Sequence, residues 1–438
     1  MNRVFLLLYS MLFCGLISCS GSGKSNVAVK AVEKTDSCNV NAENTYEVYI
    51  PARNSADDKL PLLVIIDAHG SGQFALNKFK RGANEYPAVL IASNLIKNGF
   101  AGYKGAIQTL IDDVRSKYPI SKTIFMTGFS GGARMVLDYA MTHPLNGLIM
   151  CGALANTDQM NAVRCPVISI SGMDDFNFME TAQYLFNEQQ TPANLKMELT
   201  NASHSWPDSI LLTNALGFLS FTGEGGDIAF RNEPQFKKFC LYQQGRINSL
   251  TQQGDLLKAL LIARNMALTE PFNGDAGFAS TYRALKANPD YISQLNRLGK
   301  CLQYETSVRQ SYIDAFQIKD TIWWKKEIGT TNEKIKTEQD SYTKDMYRRI
   351  KGFWGIACYS LCKQAINPQN TEALTKILSI YRMLEPENPD MLYFSAFPPF
   401  WAGNNEETLS TLKKTLKAGF SDRNQLKNDF PISITSKL

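Results

Sequence analysis

Thr123-Ile124-Phe125-Met126-Thr127-Gly128-Phe129-Ser130-Gly131-Gly132-Ala133-Arg134 is the stretch on which the reading of the fold turns. Its first five residues form a β-rich apolar run. After Ser130 the apolar positions Ala133, Val136, Leu137 and Ala140 recur at helical spacing. A strand therefore hands over to a helix within a few residues, through Gly-x-Ser-x-Gly. At such a strand-to-helix turn the Ser is held above the end of the sheet with its Oγ exposed. Small residues at 128 and 132 are demanded because the turn brings the strand and helix backbones together.

The same alternation extends in both directions. Tyr46–Ile50, Leu62–Ile66, Ala88–Ala92, Thr123–Thr127, Leu148–Cys151, Val167–Ser171 and Leu195–Leu199 read as strands. Several of them are apolar at consecutive positions, as strands covered on both faces must be. Tyr103–Tyr118, Gly131–Thr142 and Phe178–Gln189 carry helical spacing between them. The fold class expected for residues 44–222 is α/β, a doubly wound and mostly parallel sheet. Ligands of such sheets bind beyond the carboxyl ends of the strands, where the chemistry-bearing side chains also fall.

Upstream, Leu62-Leu63-Val64-Ile65-Ile66 runs into Asp67-Ala68-His69-Gly70-Ser71-Gly72. With this His-Gly loop and the Ser130 turn, the chain resembles the α/β-hydrolase superfamily. The resemblance implies an oxyanion hole formed by the backbone N–H groups of Ser71 and Gly131, with His69 orienting its loop. It places the acid three residues after a Gly that ends a late strand, which selects Asp175 after Gly172; the neighbouring Asp174 is the alternative. It places the base in the loop after the last strand, Asn201-Ala202-Ser203-His204-Ser205-Trp206-Pro207, and so at His204. His143 ends the helix after Ser130 and reads as a C-terminal helix residue favoured by the helix dipole. The implied mechanism passes the Ser130 proton to His204, which Asp175 holds, and proceeds through an acyl-enzyme. The His-Ser-Trp-Pro segment is similar to that of secreted feruloyl-esterase and polyhydroxybutyrate-depolymerase-like enzymes. Departures are Ala202-Ser203 where those enzymes carry Gly-Gly, and Asp67-Ala68 before the His-Gly loop. The segment is compact, with no insertion for a lid, which suggests an open cleft for an acetyl or feruloyl ester on a carbohydrate. No cofactor is needed for this chemistry.

After Gly226 strand-like runs nearly vanish. Helical segments such as Gly254–Met266 and Thr371–Leu384 take over, punctuated by Asn288-Pro289, Asn367-Pro368, Glu385-Pro386 and Asn388-Pro389. Gly403–Leu409 followed by Ala418-Gly419-Phe420 resembles a tetratricopeptide-type repeat. Residues 227–438 are expected to form a helical-repeat domain with a groove for a protein or peptide partner.

The N-terminus reads as a processing signal. Met1-Asn2-Arg3 precedes an apolar run from Val4 to Ile17, too short to favour a permanent span. Leu16-Ile17-Ser18-Cys19 resembles the lipobox of bacterial lipoproteins, which implies cleavage after residue 18, acylation of Cys19 and anchoring in the cell envelope, with Ser20 favouring the outer membrane. Residues 19–43 then form a polar tether. Lys+Arg and Asp+Glu number 46 and 41, and no basic stripe occurs, which argues against a nucleic-acid surface. Of nine Cys, two lie in the signal region and none forms a CxxC pair; with three His, a zinc site is not expected. Cys151 and Cys165 are spaced to bridge, or to remain buried thiols. Two other functions fit the pattern: a serine peptidase of the oligopeptidase type, and a non-catalytic envelope scaffold binding through the helical half.

Overall fold

The computed structural model describes residues 28–222, 233–269 and 276–438, so the signal segment, Cys19 and the start of the tether lie outside the described residues. The first part contains β1 (Val32–Cys38), β2 (Asn41–Ile50), β3 (Leu60–Ile66), α1 (Gly72–Glu85), β4 (Val89–Ser93), α2 (Tyr103–Lys117), β5 (Ile120–Phe129), α3 (Gly131–Ala140), β6 (Gly147–Cys151), α4 (Thr157–Ala162), β7 (Val167–Gly172), α5 (Phe178–Leu185), β8 (Leu195–Thr200) and α6 (Ser209–Thr222). The eight strands form one sheet in the order β1-β2-β4-β3-β5-β6-β7-β8. Strands from β4 through β3 to β8 pair in parallel, while β1, β2 and β4 pair antiparallel. A mostly parallel sheet with helices on both faces and a Ser at the turn after β5 is the doubly wound α/β class expected for this part of the chain.

The pleat explains the unbroken apolar runs. Along β3, Val64 and Ile66 join the cluster on one face, while Leu63 and Ile65 join the cluster on the other. Helices α2 and α3 cover the first face with Ile107, Leu110 and Val136; α1 and α6 cover the second with Leu76, Phe79 and Leu216. Each fully buried side chain of this kind contributes about 1.5–3 kcal/mol.

The tether expectation needs correction. Residues 32–38 pair with β2 in register from Val32↔Ile50 to Ser37↔Thr45, so sheet formation begins well before residue 44. β1 is an edge strand, mostly exposed, and its Val-Glu-Lys-Thr-Asp-Ser-Cys sequence has no apolar alternation to reveal it.

The helical part comprises α7 (Glu233–Gln252), α8 (Leu256–Ala267), α9 (Ala276–Lys286), α10 (Pro289–Ile318), α11 (Thr321–Thr337), α12 (Ser341–Gln364), α13 (Thr371–Leu384), α14 (Pro389–Phe394), α15 (Phe397–Trp401), α16 (Asn405–Lys417), α17 (Arg423–Asp429) and α18 (Ile432–Thr435). Their lengths, from 4 to 30 residues, follow no common period. Packing is continuous across the expected boundary. The Asn265 side chain on α8 donates to Met197 O (2.9 Å) and accepts from Met197 N (3.3 Å), occupying outward-facing groups of edge strand β8. Arg246 on α7 pairs with Glu198 at 2.7 Å. Leu257 and Leu261 join the same apolar cluster as Val167, Leu195 and Met197. The helices thus cover the sheet edge that would otherwise stay unpaired. Among the described residues, no helix is long and apolar enough to cross a membrane.

Candidate active site

Ser130 caps α3 with φ 54° and is the non-glycine residue with positive φ among those described. Such backbone costs about 1–3 kcal/mol and persists where the surroundings impose it. Here the surroundings are visible. A Cβ on Gly128 would lie 2.4 Å from the Gly132 carbonyl carbon, and one on Gly132 would lie 2.2 Å from Ile66 O. The Ser130 N–H donates to Cys151 O at 2.8 Å, tying the turn to the end of β6. Crossing of β5, α3 and β3 therefore selects glycine at both motif positions and lifts Ser130 to a half-buried site at the strand ends.

Around it the structure brings together the three side chains singled out from the sequence. His204 Nε2 lies 2.9 Å from Ser130 Oγ, and His204 Nδ1 lies 2.9 Å from both oxygens of Asp175. With the Nδ1 proton directed at the carboxylate, Nε2 remains the acceptor facing the hydroxyl. Asp175 is 2% exposed, and its Oδ1 also accepts from Asn177 N at 2.8 Å. The rings of Phe129 and Phe176 lie against the imidazole, at centroid distances of 4.7 and 4.2 Å. His143 is elsewhere, stacked on Tyr139 at the end of α3.

Asp174 has a different environment. It faces Arg348 of α12 at 3.8 Å, and its Oδ1 is buried without a hydrogen-bond partner. Burial, reinforced by the Asp345 charge and opposed by Arg348, pushes its carboxyl up to about 6 from an ordinary 3.8. An acid shifted upward on folding stabilises the fold when protonated. That contribution is complete below about pH 4 and is lost as pH rises through about 6. Asp174→Asn is therefore expected to raise the melting temperature at about pH 8 and leave it unchanged at about pH 4. An equal shift at both pH values in thermal denaturation would sink this assignment.

The loop after β3 differs from expectation. Ser71 N–H, expected to face the cleft, is directed at Asp67 Oδ1 at 3.2 Å, and His69 N donates to the same oxygen at 2.9 Å. Asp67 Oδ2 accepts from the indole N–H of Trp206 at 2.7 Å. The His69 ring does not orient this loop; it is 67% exposed, with Nδ1 3.9 Å from Asp67 Oδ1. The buried Asp67 carboxylate does so instead, and two sequence features that seemed unrelated, Asp67-Ala68 and His-Ser-Trp-Pro, are halves of one contact. Cys151 is a buried thiol that forms no disulfide, so the suggested bridge to Cys165 is absent. Burial at the end of β6 pushes its thiol well up, opposed in part by the Thr127 hydroxyl.

The helical part also reaches the site, so the cleft is not formed by the sheet alone. Arg349 of α12 donates to Met173 O at 2.5 Å, and Arg309 of α10 donates to Phe176 O at 2.9 Å. Both guanidinium groups bond Glu305, at 2.8 and 2.7 Å, and Glu305 and Arg349 have no exposed side-chain surface. Two cations thus hold the carbonyls on either side of Asp174-Asp175. On the other flank, Lys97 after β4 pairs with Asp422, the cap of α17. Asp67, Arg309, Arg349 and Glu305 escaped the sequence reading because contacts between distant segments, Asp67 with Trp206, Arg349 with Glu305 and Arg309 with Phe176 O, leave no local spacing. Among the described residues, no group of three or more His, Cys, Asp or Glu side chains could hold a metal ion.

No family model and no curated protein matches the chain. Solved structures similar in part include an S-formylglutathione hydrolase of Staphylococcus aureus, at 14% identity over 45% of this chain and 98% of that one, with a TM-score of 0.36. The fluorophosphonate-binding serine hydrolase F of Staphylococcus aureus is 13% identical over 44% of this chain and 98% of its own, TM-score 0.36. An esterase B of Lactobacillus rhamnosis is 14% identical over 44% of this chain and 86% of its own, TM-score 0.33.

Proposed function

We propose that this chain is a serine hydrolase of carboxylic esters acting through Ser130, His204 and Asp175. The observation that carries the reading is the continuous line from Ser130 Oγ through the His204 ring to a buried Asp175, with 2.9 Å at each contact. In this reading Nε2 of His204 takes the Ser130 proton as Oγ bonds to the ester carbonyl carbon. The tetrahedral intermediate then collapses, the C–O bond to the alcohol breaks, and His204 returns the proton to the leaving oxygen. Water enters by the same route, releases the acid and regenerates Ser130. Asp175 stabilises the imidazolium without itself being protonated.

For substrate, acetyl or feruloyl esters on polysaccharide follow from the His-Ser-Trp-Pro resemblance, and Cys19 acylation would place the enzyme at the cell envelope. A fluorophosphonate probe tests the core of the reading. Labelling of folded wild type that disappears in Ser130→Ala and His204→Ala is expected. Unlabelled wild type of normal folding would remove the proposal. A chromogenic acetate, methyl ferulate and a fluorogenic dipeptide, compared by kcat/KM, then separate ester from peptide cleavage; a preference for the dipeptide would overturn the ester assignment.

A further inference from the structure

With Ser71 N–H turned to Asp67, the expected pair of oxyanion donors lacks one member at the cleft. Gly131 N–H remains. It lies in the first turn of α3, where an amide has no partner within the helix and the helix dipole favours negative charge. A Gly-x-Ser-x-Gly turn does not require glycine at its second x, yet residue 131 is glycine. The reason is tertiary. A Cβ there would stand 1.8 Å from Asn98 Oδ1, 2.7 Å from its Cγ and 3.1 Å from Nδ2, and these are the three nearest atoms. The Asn98 carboxamide therefore lies directly against Gly131.

Asn98 is exposed, and among the described residues its side chain has no hydrogen-bond partner. Its backbone is held on several sides. The Asn98 N–H donates to Ala68 O at 2.9 Å, Phe100 N donates to Lys97 O at 3.1 Å, and Lys97 pairs with Asp422. Phe100 packs against the main apolar cluster. A carboxamide with its amide groups free of protein partners, carried on a backbone held by Ala68 O and lying beside the expected oxyanion donor Gly131 N–H, is placed to donate to charge developing in a transition state.

We infer that the Asn98 side-chain amide is the second oxyanion donor, acting with Gly131 N–H on the tetrahedral intermediate. The inference rests on the ester-hydrolase reading above. Asn98 then belongs to the catalytic residues: its carboxamide, whose Oδ1 lies nearer Gly131 than Nδ2 does, turns to present Nδ2 to the reacting oxygen. Glycine at 131 is what lets this amide approach.

The test is kinetic and uses the full chain. Asn98→Ala is expected to lower kcat for a chromogenic acetate by about 10²–10³-fold with little change in KM, the usual cost of losing one such donor. Asn98→Asp, equal in size but an acceptor when ionised, should lower kcat further. The inhibition constant of a trifluoromethyl ketone, which forms a tetrahedral adduct with Ser130, should rise in parallel with the loss of kcat. Gly131→Ala should cost activity when Asn98 is present and add little to Asn98→Ala, because its new Cβ acts by displacing that amide. Melting temperatures of all variants separate these effects from unfolding. Wild type that hydrolyses the ester while folded Asn98→Ala keeps kcat within about threefold would overturn the role of Asn98 alone. Wild type without ester hydrolysis or probe labelling would overturn the reading beneath it, and the Asn98 role with it.

Discussion

Ser130→Ala is expected to lower kcat on an ester by on the order of 10⁶-fold, and Asp175→Asn by about 10⁴-fold, with both proteins folded. The first change removes the nucleophilic oxygen and leaves the strained backbone at φ 54° as it was, because Ala carries the same Cβ. The second is less obvious and more informative. Asp175 Oδ1 accepts from Asn177 N at 2.8 Å, so an Asn at 175 keeps its carbonyl oxygen there. Its NH₂ group then faces His204 Nδ1, which must become the acceptor. The ring proton moves to Nε2, directed at Ser130 Oγ, and the base can no longer take the hydroxyl proton. Steady-state kinetics on a chromogenic ester decide the matter. Retention of more than about a tenth of wild-type kcat in either variant would show that the Ser130–His204–Asp175 line is not the reacting system.

Arg349→Met is expected to destabilise the protein by about 3 kcal/mol. Arg349 and Glu305 form an ion pair at 2.8 Å with no exposed surface on either side chain, and removal of one partner leaves a charge in a medium that solvates it poorly. The cost stays near the lower end of the range for broken buried pairs because Arg309 still bonds Glu305 at 2.7 Å. Arg349→Met combined with Glu305→Met should recover part of the loss, since an apolar pair of similar volume replaces the buried ion pair while Arg309 keeps only Phe176 O. Urea unfolding of the two single variants and the double variant provides the cycle. Single variants within about 0.5 kcal/mol of wild type would show that the pair carries no stability. Because Arg349 also holds Met173 O, two residues before Asp175, its loss should lower kcat/KM on the ester in the same samples. The helical part would then be a support of the acid loop as well as a cover for the sheet edge.

The central strands and the turn at Ser130 were legible in the sequence because each is dictated by neighbours along the chain. A strand buried on both faces must be apolar at successive positions, and a strand crossing a helix at close range must have glycine at the crossing. β1 was not legible for the complementary reason. An edge strand with both faces largely in water has no apolar pattern, and its pairing energy comes from backbone groups that every sequence shares. Helix α6 was missed for a related cause. The α6 segment is apolar nearly all round because it is buried between α1 and the sheet, so helical periodicity fades where burial is greatest.

Among the site residues, Ser130, Asp175 and His204 were named from chain order, yet order alone left Asp174 beside Asp175. Tertiary structure separates the pair, turning one carboxylate to His204 and the other to Arg348, because consecutive side chains in a turn leave in different directions. The same holds for the amides after β3. Sequence supplied a loop with donors, and the direction of those donors was decided by a buried Asp67 shared with Trp206, 139 positions away. Local chemistry, such as which residues can attack, accept a proton or bend a chain, is written in residue type and spacing. Which group each one faces depends on segments that are distant in sequence, and in this protein those include Asn98 and three charged side chains from the helical half.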